Sequence, residues 1–304
     1  MNLRLIHLPD TARQASAAKQ WLDDYIVNHA ANHTATHPRD YHFTLTLHEQ
    51  EVTPTARELR LHPELALICD HAGLWLAVNG MKMQPDWVGE LPRLQRAGVR
   101  SEVLARACLA TESPKIMDAT AGLGHDGLLL AWCGATVTLV ERHPILALLL
   151  ISAKEQAMTH ADKRLQQALS RITLVHAKSE ELLTESIQLS KEDTQFDVIY
   201  LDPMFPKSAT EKKQPLVKKE MQILQYLLHS SDDSVVVDWG DALLPLAQKV
   251  AKRVIVKRPK LAEPLSGIEP DHRWVGDACR FDGYFQPHAI NIESALTDQD
   301  DAQS

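Results

Sequence analysis

The residues best suited to chemistry in this chain lie in two short runs. The first, Asp118-Ala-Thr-Ala-Gly-Leu-Gly-His-Asp-Gly127, sets Gly122, Gly124 and Gly127 in a G-x-G-x-x-G spacing between a short apolar run and an apolar helical pattern. Glycine permits positive φ and lets a ligand approach with no Cβ in the way, which any adenosine-bearing cofactor can use. Asp118 ends the preceding strand, where a carboxylate repels a pyrophosphate but attracts the ammonium or sulfonium of S-adenosylmethionine. That sign argues against a nicotinamide dinucleotide. Glu141 closes the next strand, 19 residues beyond Gly122, where its oxygens can accept both ribose hydroxyls of either cofactor class.

The second run is Asp197-Val-Ile-Tyr-Leu201 leading straight into Asp202-Pro-Met-Phe-Pro206. An exocyclic base amine is a poor nucleophile because its lone pair is delocalised into the ring. An acidic side chain and a rigid backbone carbonyl can accept both amine hydrogens and draw the nitrogen toward a pyramidal geometry. Asp202 and the Pro203 carbonyl suit those tasks, since proline stiffens the turn. Phe205 offers an aromatic face for the base. The competing reading is an Asp-Pro turn beside a core phenylalanine.

Such groups need a scaffold that brings strand ends together. From Lys115 onward, short apolar runs alternate with helical patterns, the mark of successive βα units and a parallel sheet. Seven strands are expected, at Lys115–Asp118, Ala135–Val140, Ile172–Val175, Asp197–Leu201, Ser234–Asp238, Arg253–Lys257 and Arg280–Phe285. Helices are expected over Asp126–Trp132, Ile145–Thr159, Leu216–Leu228 and Asp241–Ala251. In a doubly wound sheet the carboxyl ends of the strands form the ligand crevice, so both runs should face one site. The first hundred residues are less legible, with a helix over Ala15–Asn28 and a hairpin turning at Asp70-His-Ala-Gly73. We therefore expect a small α+β unit over 1–103, an α/β doubly wound unit over 104–290 and a polar tail over 291–304.

At 304 residues, with 44% apolar and 24% charged residues, the chain reads as an ordinary globular protein of about two domains. Its net charge of −8 excludes a globally basic, nonspecific nucleic-acid binder. Four scattered cysteines suggest neither disulfides nor a zinc site, and His29, His33, His37, His42 and His48 lack metal-ligand spacing. No metal is expected. Without a signal-like apolar core or a membrane-length run, the expected location is the cytoplasm. Two stretches are nonetheless basic. Residues 207–220 carry Lys207, Lys212, Lys213, Lys218 and Lys219 against two glutamates, a net of +3, and residues 249–260 hold six cations and no acid. Lys207, Lys218, Lys219, Lys257 and Arg258 are the candidates for backbone phosphates.

Taken together, Asp118-Ala-Thr-Ala-Gly-Leu-Gly-His-Asp126, Glu141-Arg142, His176-Ala-Lys-Ser179, Tyr200-Leu-Asp-Pro-Met-Phe-Pro206 with Leu216-Val-Lys-Lys-Glu-Met221, and Val254-Ile-Val-Lys-Arg-Pro259 resemble the ribosomal RNA small subunit methyltransferase J family. The resemblance spans about Lys115 to Tyr284. It implies a Rossmann-like class I methyltransferase fold, S-adenosylmethionine as cofactor, and methylation of the N2 amine of one guanosine in 16S rRNA. It also implies cofactor contacts at His125, Asp126, Glu141, Arg142, Lys178, Ser179 and Asp202. The family often has Arg at the place of His125 and a small residue at that of Lys178. The rival readings are an amino-methyltransferase acting on protein or a small molecule, and a noncatalytic RNA-binding module.

Overall fold

A computed structural model describes residues 2–32, 43–188, 196–203, 219–229 and 240–286. The chain opens with β1 (Asn2–His7), α1 (Ala12–Asn32), β2 (Thr44–Glu49), α2 (Ala56–Leu61), β3 (Ala66–Asp70), β4 (Gly73–Val78) and β5 (Met81–Met83). These strands form a five-stranded sheet ordered β2-β1-β3-β4-β5, parallel across β2, β1 and β3 and antiparallel beyond. The expected hairpin is present, with Asp70 opposite Gly73 and Gly73 at φ 109°, a value its missing side chain makes inexpensive. The helix α1 begins three residues before the expected start and serves as the crossover between the parallel pair β1 and β2.

Two short helices, α3 (Leu91–Arg96) and α4 (Val103–Ala107), lead into the second sheet. It is built from β6 (Lys115–Asp118), α5 (His125–Trp132), β7 (Thr136–Glu141), α6 (Pro144–Met158), α7 (Lys163–Ser170), β8 (Ile172–His176), α8 (Ser179–Gln188) and β9 (Val198–Leu201). Then come α9 (Lys219–His229), α10 (Leu243–Val250), β10 (Arg253–Pro259), β11 (His272–Val275) and β12 (Cys279–Phe285). The order is β11-β12-β10-β9-β6-β7-β8, with β12 antiparallel to both its neighbours and all other pairs parallel.

Six of the seven strands are those expected, and the expected strand at 234–238 lies outside the described residues. The unexpected member is β11, an edge strand whose residues are largely exposed, so it lacks the apolar run that marks strands covered on both faces.

The longest apolar run of the chain, Pro144 to Ile151, falls in α6. Every residue from Pro144 to Leu150 is buried, because the helix has sheet on two sides. Ile145, Leu146, Leu148 and Leu149 share a core with Leu3, Leu5, Leu67 and Leu76 of the first sheet, whereas Leu150, Ala153 and Ala157 join the core under β7. A helix that is apolar all round is one buried all round. Ile223 and Leu227 of α9 enter the first-sheet core as well. The two sheets are thus joined by continuous packing. Among the described residues no helix is long and apolar enough to cross a membrane.

Candidate functional site

The glycine run turns from β6 into α5 as its spacing predicts. Gly122 and Gly124 take left-handed backbone conformations, φ 55° and 72°. An added Cβ at Gly122 would meet nothing nearer than the Thr120 carbonyl oxygen at 3.9 Å, so that face of the turn is open. Gly127 does a different job, since a Cβ there would lie 2.2 Å from Leu139 Cδ2 of β7 and force the helix off the sheet. A residue that sequence reasoning missed braces the turn from the N-terminal region: buried Trp87 donates its indole N–H to the Leu123 carbonyl at 3.0 Å.

The acids at the strand ends prove to have unequal roles. Glu141 accepts the Gly122 N–H at 2.9 Å on one oxygen and the His143 N–H at 2.7 Å on the other. Burial pushes its carboxyl up while those amides pull the other way. It grips the turn, and each oxygen keeps a lone pair for a ligand hydroxyl. Asp118 corrects an expectation. It is 2% exposed, accepts the Thr120 N–H at 3.1 Å and has its carboxyl raised well above the usual range, first by burial and then by the charges of Asp126 and Asp202. It lies beneath the turn as a brace and does not present a charge to a ligand, so the sign argument against a pyrophosphate does not operate through it.

The second run leaves β9, which lies between β6 and β10. The Asp202 N–H donates to the Thr120 hydroxyl at 2.6 Å, tying the two turns together. Pro203 is buried, and a Cβ on Gly240, at φ 84°, would lie 2.7 Å from the proline Cβ. Phe205 lies outside the described residues.

Lys257 changes its expected role. Val256 pairs with Leu201, so Lys257 stands level with Asp202, and its ammonium lies 2.9 Å from Asp202 Oδ2 and 2.7 Å from Asp126 Oδ2. Tyr200 donates its hydroxyl to the same Asp126 oxygen at 2.6 Å. Burial opposes the Lys257 cation, but the two carboxylates outweigh it and raise its pKa. Burial likewise opposes the Asp126 anion, yet Lys257 and the Tyr200 hydroxyl hold it below the usual carboxylate range. At Asp202, burial and the Asp126 charge outweigh the pull of Lys257, so its carboxyl stands above that range. The Asp202 side chain is still 36% exposed and open to a substrate, against 21% for Asp126.

Arg258 is a second correction to the phosphate set. It is buried and donates to the Glu263 carbonyl. Arg253, from the same basic stretch, donates to the Ala107 carbonyl and lies over the Phe285 ring. The exposed cations there are Lys249, Lys252 and Lys260, and the seven-residue strand β10 parts the first two from the third. At about 3.3 Å per residue, only Lys260 is at the Asp202 edge, with the others roughly 20 Å away. Lys219, the first residue of α9, is exposed, while Lys207 and Lys218 lie outside the described residues.

The remaining positions follow β7 and β8 or begin α5. Ser179 is buried and donates to the Ala119 carbonyl at 2.6 Å, and Lys178 pairs with Glu181 at 3.3 Å. The Arg142 carbonyl lies 3.1 Å from His176 Nε2, and Trp21 and Tyr25 of α1 pack edgewise on that imidazole at 5.5 and 4.7 Å. His125 starts α5 with a buried Nε2 that has no partner among the described residues. An open glycine turn, an acid at the end of β7 and this unpartnered nitrogen suit an adenosine-bearing cofactor. The sequence does not mark Thr120, Tyr200 or Trp87 as functional; Tyr200 stands two residues before Asp202, but nothing local links it to Asp126.

Residues 60–286 match the family described as "Putative SAM-dependent methyltransferase". The "Ribosomal RNA small subunit methyltransferase J" of Acinetobacter baumannii is 52% identical over 257 residues, which cover 81% of this chain and 89% of that protein. The protein of the same description from Acinetobacter baylyi is 54% identical over 235 residues, 76% of this chain and 84% of its own length. Among solved structures, a SAM-dependent methyltransferase from Neisseria gonorrhoeae aligns with a TM-score of 0.62 at 26% identity, covering 95% of this chain and 98% of that one.

Proposed function

The chain belongs to the ribosomal RNA small subunit methyltransferase J family of SAM-dependent methyltransferases, and from that premise we propose that it methylates the exocyclic N2 amine of a guanosine in 16S rRNA. The observation that carries this reading is the junction of the two turns: the Asp202 amide bonded to Thr120 at 2.6 Å, with a half-open Asp202 carboxylate beside it.

The open turn at Gly122 and Gly124, together with His125, Glu141, Arg142 and the segment at Lys178 and Ser179, would hold S-adenosylmethionine. Bound there, it would supply an electrophilic methyl carbon for the amine's lone pair, with sulfur retaining the pair of the bond that breaks. Asp202 accepts one amine hydrogen and receives the proton that nitrogen sheds as the new bond forms. The Pro203 carbonyl accepts the second hydrogen, on a residue whose ring fixes φ and lies close to Gly240. Phe205 stacks on the base. Placing the amine in near-attack geometry supplies much of the rate, because the entropy of alignment is lost on binding and not at the barrier.

Lys207, Lys218, Lys219 and Lys260 receive the phosphates around the target, and the region 1–103 selects the structured RNA context. The cell compartment of such a substrate is the cytoplasm. The test is incubation with labelled S-adenosylmethionine and either small-subunit particles or naked rRNA, followed by nucleoside analysis. N2-methylguanosine in either supports the reading. Its absence from both, or label entering protein or a small molecule, refutes it.

A further inference from the structure

We propose that Lys257 is a positioning residue for the methyl-accepting amine: by engaging Asp202 Oδ2 and Asp126 Oδ2 together it fixes the Asp202 carboxylate in one orientation and reserves Oδ1 for the substrate. This rests on Asp202 being the amine's acceptor.

The geometry has three parts. The Asp202 backbone is fixed through its N–H to Thr120, but that bond leaves the side chain free to rotate. Lys257 removes that freedom at 2.9 Å, and among the described residues no group donates to Oδ1. Lys257 is itself fixed by its 2.7 Å bond to Asp126, whose oxygen also receives the Tyr200 hydroxyl. The chain Tyr200–Asp126–Lys257–Asp202 therefore runs from under α5 to the mouth of the crevice. A compact ammonium with three donors can serve two carboxylates from one point.

The electrostatics require a cation here. Asp202 is faced by Asp126 from α5, Tyr200 from β9, Lys257 from β10 and Cys279 from β12, with buried Asp118 of β6 behind and Arg93 acting on Asp126 from α3. Burial and the neighbouring carboxylate favour the protonated acid, which could not receive the proton that the amine sheds. Lys257 is the group that opposes them. Its removal raises the Asp202 pKa, so a smaller share of the enzyme carries the carboxylate at any given pH.

The test uses the full chain carrying Lys257→Met, Lys257→Arg or Asp202→Ala, assayed on small-subunit particles. We expect Lys257→Met to lower kcat about a hundredfold, as a misplaced reacting group does, with KM for RNA little changed. The acid limb of its kcat/KM profile should move up by about one to three pH units, and Lys257→Arg should restore most of that shift. A carbon-detected NMR titration of the Asp202 carboxyl in the free protein should move in the same direction. Should Lys257→Met fail to fold, Lys257→Gln takes its place. An unmoved acid limb and carboxyl titration, or a loss confined to KM for RNA, overturns the proposal. If Asp202→Ala is inactive while the lysine variants behave as wild type, this inference alone falls; if Asp202→Ala is fully active, the reading of Asp202 falls first.

Discussion

The hydroxyl of Thr120 accepts the Asp202 N–H at 2.6 Å, so the turn after β6 and the turn after β9 are joined by one hydrogen bond between residues 82 positions apart. The same Thr120 gives its own N–H to Asp118, which lies below both turns. A buried carboxyl group thus acts on the turn after β9 through one threonine.

Thr120→Val keeps the shape and deletes the acceptor, leaving the Asp202 amide without its partner at a cost of about 1–3 kcal/mol. The expected result is a drop in kcat of tenfold or more by way of a displaced carboxylate, with about that loss of stability. Thr120→Ser should retain most activity. Steady-state kinetics and a denaturant midpoint on both variants check it.

His143 makes the fold acid-sensitive. It caps α6 by accepting the Ile145 N–H on Nδ1 at 3.2 Å, and burial, joined by the Arg142 charge, lowers its pKa to about 3. The folded state therefore refuses a proton that the unfolded chain accepts below its ordinary pKa of about 6.5. The stability it contributes is complete above that value and is lost as pH falls toward 3, by up to about 1.4 kcal/mol per unit. His143→Asn keeps a cap acceptor without the titration. Its unfolding free energy should fall less steeply than wild type between about pH 6 and 4; equal slopes would assign the acid sensitivity elsewhere.

Leu149, fully buried in α6, belongs to the core shared with the first sheet. Leu149→Ala should cost about 2–5 kcal/mol. Because the core is continuous, both sheets should melt in one transition moved to lower temperature. Two separated transitions by calorimetry would show that the sheets fold independently.

RNA binding should depend on which end of β10 a cation occupies. Reversal of Lys219 and Lys260 to Glu is expected to weaken binding and flatten its salt dependence, by roughly 0.7 to 0.9 in log–log slope for each phosphate that is no longer neutralised. Lys249→Glu with Lys252→Glu, at the far end of the strand, should leave both unchanged. Reversing Lys257 would instead harm methyl transfer to any amine substrate. Filter binding across a salt series separates these outcomes.

The sequence by itself determined what neighbouring residues decide. The glycine turn, the acid ending β7, the Asp-Pro turn after β9 and the hairpin at Asp70–Gly73 all depend on local backbone preference and on runs of apolar residues, and each is found where the pattern puts it. The tertiary structure decided what distant residues do to one another. Lys257 reads as one of six cations in a basic stretch, and only the order β6-β9-β10 brings it level with Asp202 and against Asp126. Asp118 reads as a charge facing a ligand until the packing of α5 on β6 and β7 buries it. Exposed β11 is a strand only because β12 supplies its hydrogen bonds. Partners across a sheet are set by strand order and register, which no local pattern encodes, and a charged side chain's role follows from its partner and its burial.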